Sequence, residues 1–389
     1  LAPTPGRAEE ISGRNLFQAI PPDLSISMSG TTVHKSSRST DRPAVLLLAP
    51  SLCIGGAELV VSNLARNMDG ERYDVRVGYI KKLGEIGESL IADGYRVDPI
   101  APPGIPGGHY LTFLNLRKYV RRENIRIVHT HGVEAMVDAA LCRRITSEVR
   151  VMNTFHFGNY PHIRPGNRRL ESLFWRGPDS LIAVGTRQCA SIRKTYGIPE
   201  DRISTVYNGV VEHRSEIDRE LLAPHLDSGK VLIGSISTMI EQKGIPDLLD
   251  VAAALRQRTD RALFLVAGDG RLREQMIARR DAMGLQDTVH FFGWVNDAAV
   301  TFLPALDIFL QTSLWEAMSM VILEAMAARK AIVATDVGDN RFMIDDGRTG
   351  ALTQPRDVAG MTDALEKLCA DPALRKRFGA DAESDYRTK

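Results

Sequence analysis

Twice along this chain, short runs rich in branched apolar residues alternate with segments of helical periodicity, and no other feature restricts the fold as much. Parallel strands cannot be joined by a tight hairpin. They need a crossover, usually a helix, so the alternation predicts βαβ units on a parallel sheet. In the first series AVLLLAP (44–50) reads as a buried strand, the turn SLCIGG follows, and Ala57, Val60, Val61, Leu64, Ala65 and Met68 then recur on one helical face. Further strands are expected at 73–80, 125–130, 149–155, 181–184 and 203–207, with helices at 112–123 and 133–144. The second series places strands at 231–237, 262–268, 289–293, 307–313 and 331–337, and helices at 246–257, 272–283, 320–329 and 358–368. Two tandem Rossmann-like α/β domains result. Open parallel sheets take ligands beyond the carboxyl ends of their strands, so the two should face each other across an interdomain cleft.

A length of 389 residues suits two such cores. Residues 43–211 make the first, 230–389 the second, and the polar stretch 212–229 the linker. Residues 1–42, rich in Pro, Ser, Thr and Gly, read as a flexible tail without an apolar signal-peptide core. The longest apolar stretch, 44–49, falls far short of the roughly 20 residues of a membrane-spanning helix. Cys53, Cys142, Cys189 and Cys369 are scattered, which indicates neither a disulfide framework nor a zinc site and points to a cytoplasmic setting. Net charge is +1, unevenly divided: residues 41–211 carry 23 Lys/Arg against 17 Asp/Glu, and residues 212–389 carry 22 against 28. The basic front half suits an anionic partner, such as a phosphate-bearing acceptor or an acidic membrane face. A near-neutral total with no recognition module argues against nucleic acid.

Gly55 and Gly56 stand where a strand turns into a helix. Such a pair lets backbone N–H groups approach an anion at a helix N-terminus, or merely makes a tight turn. The G-x-G-x-x-G fingerprint is absent, which counts against NAD or FAD. His129 and His131 in VHTHG and His156 in NTFHFG lie at strand ends, where a histidine can donate to a substrate hydroxyl or shuttle a proton. For His129 a hydrogen-bonded structural role is favoured, and nothing completes a metal ligand set. Lys243, in QKG between a strand and a helix, stands where a diphosphate could be neutralised. AGDGRLR (267–273), containing Gly268, is a second glycine-rich strand-to-helix turn.

SLWEAMSMVILEAMAARK (313–330) carries the most specific signal, Glu316 and Glu324 eight residues apart. They are separated by at most ~12 Å of helix rise and ~80° of rotation, so both can face one elongated ligand. Backbone N–H groups near Ser319, Met320 and Val321 could hold a phosphate. Glu324 lies in an apolar stretch and needs a partner, for which a ribose diol, an Arg or a backbone cap would serve.

Taken together these segments resemble the retaining GT-B glycosyltransferases of glycosyltransferase family four. The markers stand in the family's order over about 340 residues: PSLCIGGAE (50–58), HTHG (129–132), TFH (154–156), YNGV (207–210), QKG (242–244), AGDGRLRE (267–274), FFGW (291–294), the Glu pair with LEAMA (323–327), VATDVG (333–338) and DGRTG (346–350). The resemblance implies an acceptor-binding first domain and a nucleotide-sugar donor, UDP- or GDP-linked, held mainly by the second. Glu324 would bond the ribose, while Glu316 and backbone amides from Met318 to Val321 hold sugar and phosphate. Lys243 would stabilise the diphosphate, the region from Phe292 to Val295 would contact the base, and Gly55, Gly56 and Gly268 would flank the donor. His156 matches the family's cleft histidine, with His131 on the acceptor side. No cofactor and no metal are implied. The acceptor would be a hydroxyl of a glycan, glycolipid or polysaccharide precursor, such as one of lipopolysaccharide assembly.

Departures from the family pattern stand at Ser237 and Thr238, where an Arg is usual, at Ala317 and Ser319 in the Glu-pair loop, and at Arg329 and Ala331, where Gly and Pro are usual. The chain also stops soon after Phe378, where the family commonly continues into a helix crossing back to the first domain. Two alternatives stay open: a nucleotide-sugar epimerase on the same fold, or a catalytically degenerate partner subunit. Residues 162–177, with Arg164, Arg168, Arg169 and Arg176 beside Leu173, Phe174 and Trp175, suggest peripheral membrane contact or a lipid-phosphate acceptor, against an ordinary amphipathic surface helix.

Overall fold

The structure, a computed structural model, describes residues 42–101, 112–146, 148–211 and 216–388. The tail assigned to 1–42 lies, but for its last residue, outside the described residues, as do 212–215 of the linker.

The run 44–49 forms an interior strand of the first sheet. Strand β1 (Ala44–Ser51) pairs in parallel with β2 (Asp74–Lys82) on one side and β4 (Ile125–His131) on the other. All of Ala44 to Ala49 are buried, because helices cover both faces of the sheet, and this is why the strand reads as a continuous apolar run rather than an alternation. With β3 (Val97–Pro99), β5 (Arg150–Phe155), β6 (Ser180–Ala183) and β7 (Ile203–Thr205) the sheet has seven parallel strands in the order β3-β2-β1-β4-β5-β6-β7.

The second sheet repeats the plan with six strands: β8 (Val231–Ile236), β9 (Ala262–Ala267), β10 (Val289–Gly293), β11 (Ile308–Gln311), β12 (Ala331–Thr335) and β13 (Gly350–Thr353), ordered β10-β9-β8-β11-β12-β13. Strand order reverses beside β1 in one sheet and beside β8 in the other. These switch points open crevices at the strands' carboxyl ends, which is where the turns around Gly55, His131, Lys243 and Glu316 lie.

The edge strands β3 and β13 were not expected. Each is three or four residues long, and neither carries a branched run. Among the described residues of the linker segment, a helix forms over Arg219–Leu226, capped by the Asp218 carboxylate accepting from Leu221 N–H. Its Leu222 is fully buried in the core of the second domain. The C-terminal helix, Pro372–Thr388, buries Leu374, Phe378 and Ala382 and then reaches back to the interdomain junction, where the Tyr386 hydroxyl donates to the carbonyl of Val210 at 2.8 Å. The crossing contact expected to be missing is thus made. Arg329 takes the left-handed backbone, φ 57°, that glycine usually fills after a helix, and the Lys330 N–H closes the turn on the Ala325 carbonyl at 2.9 Å. Among the described residues no helix is long and apolar enough to cross a membrane.

Candidate active site

Adjacent strands β8 and β11 deliver two loops that are stitched together before any ligand arrives. Leu314 N–H donates to the Gln242 carbonyl at 2.7 Å, Thr312 Oγ1 to the Lys243 carbonyl at 2.9 Å, and Gln242 Nε2 to the Trp315 carbonyl at 3.0 Å. Gly244, φ 61°, permits this close approach: a Cβ there would lie 2.1 Å from the Thr312 carbonyl oxygen. Within the stitched loops the Glu316 carboxylate is 7% exposed and saturated with donors. Oε1 accepts from Lys243 Nζ at 2.7 Å and from Ser313 Oγ at 2.7 Å, and Oε2 accepts from Gln242 Nε2 at 3.2 Å. Sequence reasoning singled out Glu316 and Lys243 separately, and the structure makes them one ion pair.

Ser319 is the N-cap residue of the helix Met320–Ala327, yet it makes no side-chain cap bond, because its hydroxyl accepts from Gln311 Nε2 at 2.8 Å. The helix's first N–H groups have no intrahelical partners and are left for an anion. Met318 and Met320 are buried, so only their backbone is offered, while Val321 is partly buried. One turn on, the partly buried Glu324 has no partner for its carboxylate among the described residues, and burial pushes it up to about 7. An unpaired acceptor in such a place suits a diol donating two hydroxyls.

Gly268 and Val295 differ from this group. A Cβ on Gly268, φ 136°, would lie 1.9 Å from the Ser237 carbonyl oxygen, so packing between the ends of β8 and β9 already requires glycine there. Val295 follows β10 and packs on the apolar core near the exposed Trp294.

From the first domain, β4 and the residue after β5 supply three histidines. His129 Nε2 bonds Thr154 Oγ1 at 2.8 Å, and His131 Nδ1 meets His156 Nε2 at 2.9 Å. Burial is the main cause holding all three imidazoles neutral: His129 at about 4, His156 at about 3, and His131 well below its ordinary value. Among the described residues no group of three or more His, Cys, Asp or Glu converges as metal ligands. Gly55 has an extended backbone, and a Cβ on it would meet Glu58 Oε2 at 2.4 Å; one on Gly56 would meet nothing within 4 Å. Packing therefore does not demand glycine at 56, and the space beside it is open.

Gly158, two residues past His156, packs directly on the Glu316 loop, where a Cβ would lie 2.1 Å from the Glu316 carbonyl. Asn208 N–H and Nδ2 donate to Met318 Sδ and its carbonyl, both at 3.3 Å. Sequence reading missed Gly158, Asn208, Gln242 and Ser313, although NTFHFG, YNGV, QKG and SLWEAMSMVILEAMAARK marked the segments in which they lie. In the 162–177 segment, Arg164, Arg168, Arg169 and Arg176 are exposed, with Leu173 64% exposed. Trp175 is a correction: it lies buried in the first domain's core, with the Arg176 guanidinium 4.1 Å above its ring.

Residues 54–214 match the family model "Glycosyltransferase Family 4", and residues 216–385 match "Glycosyl transferases group 1". The chain is 25% identical over 293 residues to the alpha-D-kanosaminyltransferase of Streptomyces kanamyceticus, covering 71% of this chain and 76% of that one. It is 27% identical over 346 residues to the N-acetyl-alpha-D-glucosaminyl L-malate synthase of Bacillus anthracis, covering 86% and 90%. The crystal structure of Anabaena HepE in complex with UDP superimposes with a TM-score of 0.76 at 20% identity, over 89% of this chain and 95% of that one. With its first half matching one of these models, its second half the other, and both sheets in place, the chain belongs to the family-four glycosyltransferases and has their GT-B fold.

Proposed function

We propose that this glycosyltransferase moves a sugar from a UDP- or GDP-sugar to a hydroxyl acceptor with retention and without a metal ion. The Lys243–Glu316 pair beside the uncapped helix Met320–Ala327 carries the reading, because it sets a cation and free amides next to an unpartnered carboxylate. Glu324 would take the ribose hydroxyls, and the helix amides with Lys243 would take the diphosphate. As the bond from the anomeric carbon to the diphosphate oxygen breaks, Lys243 and the amides stabilise the growing negative charge. The acceptor hydroxyl attacks the same face, forming the new glycosidic bond, and its proton passes to the departing phosphate oxygen. His156, neutral and held by His131, would bond a hydroxyl of the transferred sugar. UDP bound to HepE supports a uridine donor, and the transferases among the relatives favour transfer over epimerisation and over a degenerate subunit.

The acceptor would enter from the first domain, past His131 and Gly56. Exposed Arg164, Arg168, Arg169 and Arg176, with Leu173, support an acceptor that is lipid-linked or phosphate-bearing, presented at the cytoplasmic membrane face. Thermal shift with UDP, GDP, ADP and their sugar conjugates tests the donor, since a ligand at a hundred times its dissociation constant adds ~2.7 kcal/mol to stability. A shift selective for one nucleotide and abolished by Glu324→Ala is expected. No shift with any of them refutes the reading.

A further inference from the structure

Asp339, in the turn after β12 of the second domain, is 1% exposed, and its carboxylate lies on the N-terminus of the first domain's helix Thr186–Tyr196. Oδ1 accepts from Thr186 N–H at 3.0 Å, from Thr186 Oγ1 at 2.6 Å and from Arg187 N–H at 3.3 Å, and Oδ2 accepts from Arg187 N–H at 3.2 Å. No described residue of the first domain caps that helix with its side chain, since its N-cap position is Gly185; a carboxylate from the other domain does it instead, opposite the positive end of the helix dipole. Gly185 admits the carboxylate: a Cβ there would lie 2.1 Å from Asp339 Oδ2. Arg187 adds bonds to Asp336 at 3.0 Å and to the Gly338 carbonyl at 3.2 Å, and the Tyr207 and Phe342 rings stack across the same seam at 4.2 Å.

The same residue is tied to the donor loop. Asp339 N–H donates to the Ala317 carbonyl at 2.9 Å, and Gly338, φ 53°, lies against the Glu316 and Ala317 carbonyls. Its neighbour Asn340 donates to Gln311 Oε1 at 2.8 Å, and Gln311 in turn donates to Ser319 at the helix start. An unbroken series of bonds thus runs from the first domain, through Asp339, to the loop that holds Glu316.

We propose that Asp339 is a positioning residue for the transfer reaction: its carboxylate, capping the helix Thr186–Tyr196 of the opposite domain, fixes the angle at which the first domain presents His156 and the acceptor to the donor. Among the described residues the hydrogen bonds of the carboxylate all go to the first domain, whereas the tie to the donor loop is made by backbone, so Asp339→Ala cuts the interdomain clamp and leaves the nucleotide site intact. This rests on the transfer reading for its kinetic measurement alone.

The test combines kinetics, nucleotide binding and small-angle X-ray scattering on the full chain carrying Asp339→Ala, Thr186→Val, both, and Asp339→Asn. Expected for Asp339→Ala is a fall in kcat of ~10- to 100-fold, as misplacement of reacting groups by about 1 Å produces, with nucleotide affinity unchanged. Thr186→Val should lower kcat less, the double variant should match Asp339→Ala, and Asp339→Asn, which keeps a carbonyl acceptor, should recover part of the loss. Scattering without nucleotide should show a broader range of domain separations in Asp339→Ala, whatever the activity. Unchanged kcat and scattering, or additive effects of the two substitutions, would overturn the proposal. If Asp339→Ala does not fold, Thr186→Val decides alone, by lowering kcat at unchanged nucleotide affinity or failing to. A parent enzyme that binds no nucleotide would instead refute the transfer reading, leaving the scattering comparison to judge the clamp.

Discussion

Lys243 Nζ lies 2.7 Å from Glu316 Oε1, and the two are brought together by neighbouring strands from positions 73 residues apart in sequence. With the carboxylate 7% exposed, the pair is largely removed from solvent screening. Lys243→Ala should lower kcat by ~10²- to 10³-fold, the loss seen when one donor to a developing anion is removed. It should also destabilise the fold by about 1–3 kcal/mol, because Glu316 keeps Ser313 and Gln242 but loses its cation. Steady-state kinetics and urea unfolding check the two effects separately, and unchanged kcat would remove Lys243 from the mechanism.

Glu324 makes stability depend on pH in the direction opposite to a salt-bridged carboxylate. Its folded value of about 7 exceeds the ordinary 4.5, so the folded state holds a proton that the unfolded state has released, and this contribution declines as pH rises from 4.5 to 7. Glu324→Gln should therefore gain on the parent by about 2 kcal/mol between pH 5 and pH 8, while nucleotide affinity falls. Urea midpoints across that range decide it, and a constant difference between the two proteins would show that Glu324 does not titrate there.

The partly buried histidines His129 and His156 act the other way. His129 at about 4 and His156 at about 3 are depressed below 6.5, so the stability they contribute as neutral rings is complete above pH 6.5 and is lost as pH falls toward those values. His129→Gln should flatten the acid side of the stability profile, by about 1.4 kcal/mol per pH unit below 6.5. His156 should give no inflection in the rate profile between pH 6 and 8, and His156→Ala should lower kcat/KM by ~10²-fold throughout that range.

Arg329 occupies a left-handed position at the end of the helix Met320–Ala327 and gains only a partly exposed ion pair with Glu383 at 3.2 Å. Relief of the backbone cost should outweigh loss of that pair. Arg329→Gly should accordingly stabilise the protein by about 0.5–1 kcal/mol, read as a raised melting temperature at unchanged activity.

Much of the fold is legible in the sequence because buried parallel strands are written as uninterrupted apolar runs, as in Leu46, Leu47 and Leu48. The strand Gly350–Thr353 escapes that reading: it is an edge of four residues, begins with glycine, and takes its place from pairing with Ala331–Thr335. Trp175 was misread because exposed arginines surround it in sequence, while tertiary packing alone decides that its ring turns inward. Glu316 and Glu324 could be found from spacing, yet the difference between them could not. Ser313, Gln242 and Lys243 reach one carboxylate, no described residue reaches the other, and Gln242 and Lys243 come from the loop after a different strand. Asp339 was invisible for the same reason, since its partners lie about 150 residues away.

The seam formed by Gly158, Gly185, Thr186, Tyr207 and Asn208 against Met318, Asp339 and Phe342 bears on modularity. Exchanging the first domain for that of a relative cannot be done by cutting at the linker alone. The incoming half would need glycine at 158 and 185 and a matching surface at 186, 207 and 208, so each half of this enzyme carries an imprint of the other.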